Sequence, residues 1–118
     1  MKTTLRLSAA ALIGFLALGF SSLATTPATG ADGNELYREY CKGCHEEGSP
    51  NGEYTPMTLI QDQWIRFFDK KYERKHKSVI DKKSGKPVTE TISPEDLELI
   101  REFAIEGAAD SEHPMTCG

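Results

Sequence analysis

The chain has 118 residues and a formal net charge of −4 at pH 7. That length holds one small domain, and the acidic balance argues against nucleic acid as a partner. No internal repeat or low-complexity segment is evident.

Residues 1–24 read as a signal peptide that is removed. Lys2 and Arg6 form a positive start, Leu7 to Phe20 is an apolar run, and Ser22-Leu23-Ala24 offers small residues for cleavage. Cleavage after Ala31 is the second candidate. The run is too short for an ordinary membrane span, so the expectation is an exported, periplasmic, soluble protein with no anchor in the mature chain. The mature domain, 25–118, has roughly 94 residues. Losing Lys2 and Arg6 takes the charge from −4 to −6. A domain this small leans on a staple to supplement its core.

Residues 32–45 read as the first helix. Asp32 or Asn34 can cap it, Glu35 suits its positive end, and Leu36, Tyr37, Tyr40, Cys41 and Cys44 form one apolar stripe. Tyr37 and Tyr40 read as core aromatics rather than redox groups. The helix ends in Cys41-Lys42-Gly43-Cys44-His45, the Cys-x-x-Cys-His signature of c-type haem attachment. Two thiols one turn apart can add across the two vinyl groups of one haem, and the adjacent imidazole suits iron in either oxidation state. A thiol–disulfide site wants a surrounding βαβ pattern, which is not visible. A closed zinc site wants four ligands, and only Cys117 adds a thiol. Haem is therefore preferred over zinc or a redox dithiol.

Glu46 to Pro56 is a polar loop of turn formers. Thr58 to Gln61 fits a capping box that opens a second helix to about Lys75. Ile60, Trp64, Phe67, Phe68 and Tyr72 recur on one face of it, with Ile65 at the edge. That face is core or haem wall. The segment 70–86 is basic, with Lys70, Lys71, Arg74, Lys75, Lys77, Lys82, Lys83 and Lys86. It is either a solvated face or a docking patch for an acidic redox partner. Val79-Ile80 and Val88-Thr89 flank the turn Ser84-Gly85-Lys86-Pro87 and suit a short hairpin. Ser93-Pro94-Glu95-Asp96 starts a third helix, with Leu97, Ile100, Phe103 and Ala104 as its buried stripe and Gly107 near its end.

The export signal, the helix ending in Cys-x-x-Cys-His, Pro56 and the closing amphipathic helix together resemble class I c-type monohaem cytochromes. The match is specific only at Cys41, Cys44 and His45. It implies an all-α, cytochrome c-like domain around one covalent haem c, whose first and last helices cross, with the basic segment as an insertion. In that family the distal ligand is normally a Met shortly before the last helix, and residues 69–93 contain no Met. The departure resembles a two-lobed periplasmic subgroup from metal-respiring bacteria. The sixth ligand is expected from Met57, with Met115 as the alternative and a histidine or an open site behind them. Met57 follows His45 by twelve residues, enough chain at up to about 3.3 Å each to round a haem edge. Either Met also suits a flexible core filler, and His76, amid lysines, reads as a surface residue. Cys117 has no assigned role. The expectation is a periplasmic electron carrier and not an enzyme. The alternative is a haem-based small-ligand sensor with an open or displaceable distal site.

Overall fold

The computed structural model describes residues 32–115. The segment 1–24, expected as a signal peptide, and Cys117 lie outside the described residues. Five α-helices follow one another: α1 Gly33–Tyr37, α2 Gln61–Lys70, α3 Tyr72–His76, α4 Val88–Thr91 and α5 Pro94–Glu106. A π turn at Arg38–Lys42 continues α1, and a 3-10 turn at Pro56–Thr58 precedes α2. No strand forms among the described residues.

The longest helix, α5, is the spine. Ser93 Oγ accepts the Asp96 N–H at 3.1 Å, and Pro94 stands at its first position, where a missing N–H costs nothing. Its Ile100 is fully buried among Leu36, Tyr37, Val88 and Ile92, with Phe68, Leu97 and Phe103 packed around them. One turn on, Ala104 and Ala108 are fully buried against Trp64 of α2, flanked by Leu59, Phe67 and Ile105. Small residues there let α2 come close, while Ile100 fills the wider space under α1. Phe68 touches both clusters and joins them.

Two close approaches fix the spine's neighbours. A Cβ on Gly33 would lie 2.3 Å from the Leu99 carbonyl oxygen and 2.7 Å from Phe103 Cβ, so α1 meets α5 at a distance only glycine permits. A Cβ on Gly107 would lie 2.8 Å from Cβ of Pro56, which is itself fully buried.

Three expectations are corrected. The second helix does not run from 58 to 75. Thr58 caps backward, its Oγ1 accepting the Thr55 N–H at 2.9 Å, and Leu59 and Ile60 are extended. The Asp110 carboxylate, arriving from beyond α5, accepts the Gln61 N–H at 2.7 Å and caps α2 in its place, while the Ala109 N–H donates to the Leu59 carbonyl. Tertiary bonds thus overrule the local signal. The helical backbone also breaks at Lys71 (φ −120°, ψ −30°), which separates α3 from α2. The hairpin shrinks to one antiparallel bridge, Ile80 to Pro87, around the left-handed Gly85. The Val88 N–H donates to the Val79 carbonyl and the Asp81 N–H to the Lys86 carbonyl, both at 2.8 Å, but Val88 and Thr89, expected as strand, turn directly into α4 and end the ladder.

Gly33→Ala should destabilise the protein by about 1–3 kcal/mol, the usual penalty of overpacking. Gly43→Ala, at a site with open space and helical φ, should be neutral or mildly stabilising. Urea midpoints measure both, and equal midpoints would mean that α1 is not held at Gly33.

Candidate functional site

Cys41, Cys44 and His45 leave the core on a single turn of chain. Asp32 Oδ1 caps α1 by accepting the Glu35 N–H at 2.9 Å, and α1 widens into the π turn that carries Cys41. Such turns recur at functional sites. The Cys44 and His45 N–H groups both reach back to the Cys41 carbonyl at 3.1 Å, so the three side chains share one compact turn. Cys41 packs against the Leu36–Ile100 cluster, and burial, then the neighbouring Cys44 sulfur, pushes its pKa up to about 12. Burial thus favours the uncharged thiol over the thiolate that disulfide exchange needs. Thioether sulfur carries no charge and meets no such penalty.

The loop 46–54 is built to hold His45. Gly48 and Gly52 take left-handed φ of 77° and 81°, conformations that side chains resist. Ser49 Oγ and Asn51 Nδ2 donate to the Cys44 carbonyl, and the Tyr54 N–H returns to the His45 carbonyl at 3.1 Å. The Tyr37 hydroxyl, on α1, donates to the Tyr54 carbonyl and ties the loop to the core. Within this frame His45 Nδ1 lies 3.1 Å from the Gly52 carbonyl oxygen. A carbonyl only accepts, so Nδ1 is the donor of this pair and Nε2 is the ring nitrogen it leaves unengaged. A backbone carbonyl on the far nitrogen is the usual means of fixing a ligating imidazole. Tyr54 braces the ring edge-on at 5.1 Å.

The far side is aromatic. Phe68 stacks on Tyr72 (6.0 Å), Tyr72 on His76 (4.8 Å), and Phe67 meets Tyr72 and His76 edge-on. The Trp64 indole N–H is satisfied by the Pro56 carbonyl at 2.8 Å, which leaves its rings to Phe67 and Phe68. The Tyr72 hydroxyl is buried with no hydrogen-bond partner. Burial, and secondarily Cys41, pushes its pKa up to about 12. A buried orphan hydroxyl costs on the order of 1–3 kcal/mol, so its place beside Cys41 marks where a further group belongs.

The aromatic face expected on the second helix forms from Trp64, Phe67, Phe68 and Tyr72 without Ile60, which is extended and exposed ahead of α2, and it continues past the break at Lys71 to His76, beside His45. His76 is half-buried in it, contrary to its reading as a surface residue, and its ring centre lies 6.2 Å from that of His45. The two methionines sit elsewhere. Met57 follows Pro56 on the 3-10 turn and is 37% exposed. Met115 is held at the end of α5, its N–H on the Gly107 carbonyl and its Cβ against Gly107. Gly52, Tyr54, Tyr72 and His76 complete the site beyond the residues the motif names. Asn51-Gly52 is itself a turn signal that brings the chain back. His76 extends the series Trp64, Phe68, Tyr72 by one more step of four.

These residues fit a c-type haem. There are two thiols on one turn, an imidazole with its ligating nitrogen free, aromatic walls, and a buried hydroxyl lacking a partner. Among the described residues no three His, Cys, Asp or Glu side chains converge as a metal cluster, and none of the helices there is long and apolar enough to cross a membrane. Outside the site, Lys70, Lys71, Arg74, Lys75, Lys77, Lys82, Lys83 and Lys86 are all exposed. The Lys83–Glu39 pair, at 3.2 Å, links the basic segment to the π turn. Comparison with family models, curated proteins and solved structures finds no match.

Gly52→Ala should destabilise the protein by about 1–2 kcal/mol through its left-handed backbone, with the added β-carbon 3.3 Å from the Tyr54 ring. A denaturant midpoint that does not move would mean the loop does not hold His45 as described.

Proposed function

We propose that this chain is a monohaem electron carrier of the c type, working outside the cytoplasmic membrane, with Cys41 and Cys44 as thioether anchors and His45 as the proximal ligand. The observation that carries the reading is the state of His45. Its Nδ1 is committed to the Gly52 carbonyl, and its free Nε2 stands beside two thiols on the same turn. A histidine used only for packing has no need of that arrangement. Bound haem supplies a one-electron Fe(III)/Fe(II) couple, whose potential follows axial ligation, burial and hydrogen bonding.

The chain's residues then divide the work. The hydrogen bond to Gly52 orients His45 and raises its basicity as a ligand. Phe67, Phe68 and Tyr72 exclude water from one side, and the Leu36–Ile100 core backs Cys41. Electron transfer of this kind asks for no nucleophile and no acid–base pair, so the protein is not an enzyme on this reading. The export signal at 1–24 places it in the periplasm, where thioether attachment takes place. The exposed basic segment 70–86 steers an acidic redox partner toward α3, an effect that should weaken with salt.

The full chain made together with the haem-ligation apparatus should give a pyridine haemochrome spectrum of the two-thioether type. Cys41→Ala or Cys44→Ala should shift it to the one-thioether type with lower yield. Carbon monoxide should leave the ferrous spectrum nearly unchanged. Rapid formation of a carbonyl adduct would favour a small-ligand sensor, and a colourless product would sink both haem readings. Tyr72→Phe tests the wall: if the hydroxyl gains its partner in the loaded site, the change should cost about 0.5–1.5 kcal/mol. A gain in stability would mean that the hydroxyl stays orphaned and lies outside the site.

A further inference from the structure

We infer that the second axial ligand is His76, so that the iron is held between two imidazoles. The inference rests on the haem reading above and concerns the ligand that reading leaves open. Three observations support it independently of the motif.

Separation comes first. The ring centres of His45 and His76 are 6.2 Å apart. Metal–imidazole bonds are about 2 Å long, and each ring centre lies roughly a further ångström beyond its nitrogen. Two imidazoles in line on one metal therefore have centres about 6 Å apart.

Orientation comes second. His76 Nδ1 lies 2.9 Å from the Tyr72 carbonyl oxygen, one helical turn back. As at His45, Nδ1 is the nitrogen engaged by a backbone carbonyl, and Nε2 is the one this contact leaves unengaged. Both rings are thus oriented in the same way, each by a backbone oxygen. His76 is half-buried: Tyr72 stacks on it and Phe67 meets it edge-on.

Third is the placing of the competitors. Met57 is more than a third exposed on the Pro56–Thr58 turn. Met115 is pinned beside Gly107, just past the end of α5. The break at Lys71 is what brings α3 around to His45, and the same segment brings Tyr72, whose hydroxyl lacks a partner.

Replacing thioether sulfur with imidazole removes the ligand that raises haem potential. The protein should therefore work at a lower potential than a His–Met carrier of similar burial. The test uses the full chain loaded with haem. The ferric wild type should lack the weak methionine–iron charge-transfer band at the red end of the visible spectrum and give a low-spin bis-imidazole paramagnetic resonance signal. His76→Met should create that band and raise the midpoint potential. His76→Ala should turn the ferric form high-spin and open the ferrous form to carbon monoxide. Met57→Ala and Met115→Ala should leave the spectra as in wild type. A red band in the wild type that disappears in either methionine variant would overturn His76 while leaving the carrier intact. A His76→Ala spectrum identical to wild type would do the same. Chain with no covalent haem at all would remove both.

Discussion

The close approach of α1 to α5 at Gly33 is the constraint on which the rest hangs. With the Leu99 carbonyl oxygen 2.3 Å from where a β-carbon would stand, the first helix lies directly on the backbone of the last. Leu36 and Tyr37 are then driven into the space around Ile100, and the chain leaves α1 with its direction set. Cys41 follows within one turn, close enough to share that core. The position of the anchor turn is therefore a consequence of helix packing. In a domain this small, burial alone gives marginal stability, and a covalent group packed into the same core would serve as the staple it lacks.

Around that turn, two segments far apart in sequence converge. The loop 46–54 holds His45 from behind through left-handed glycines and carbonyl hydrogen bonds, and α3 closes from the other side with stacked rings. The first is rigid polar scaffolding, the second apolar wall. The same short helix that presents Tyr72 and His76 inward carries Arg74, Lys75 and Lys77 outward. The basic surface and the inner wall are thus opposite faces of one segment.

Much of this was legible in the residues. Asp32, Ser93-Pro94 and Gly107 marked helix ends through chemistry local to each, and of the expected stripes Leu36, Tyr37, Ile100 and Ala104 are buried while Tyr40, Cys41, Cys44, Leu97 and Phe103 are half-buried. What failed did so where distant groups decide. Asp110 caps α2 from beyond the end of α5, and no window around Thr58 contains that information. The hairpin was expected from β-branched residues on either side of a turn, but the chain coils into α4 directly after Pro87. His76 was hidden by its neighbours: two exposed lysines made it look solvated, although its spacing from Phe68 and Tyr72 placed it on the aromatic face. Cys41, Cys44 and His45 were readable because the motif lies within five positions of the sequence. The approach of His76 to His45 was not, because it depends on how the chain folds back.

The central claim is a permanent bond between this polypeptide and one iron-porphyrin through Cys41 and Cys44. The most direct measurement is the intact mass of the mature protein, produced with the haem-ligation apparatus and treated with acidified acetone to remove any non-covalent pigment. A mass equal to the polypeptide plus one haem, with both thiols closed to alkylation, is what the account predicts. A polypeptide-only mass with two alkylatable thiols at Cys41 and Cys44 would contradict it.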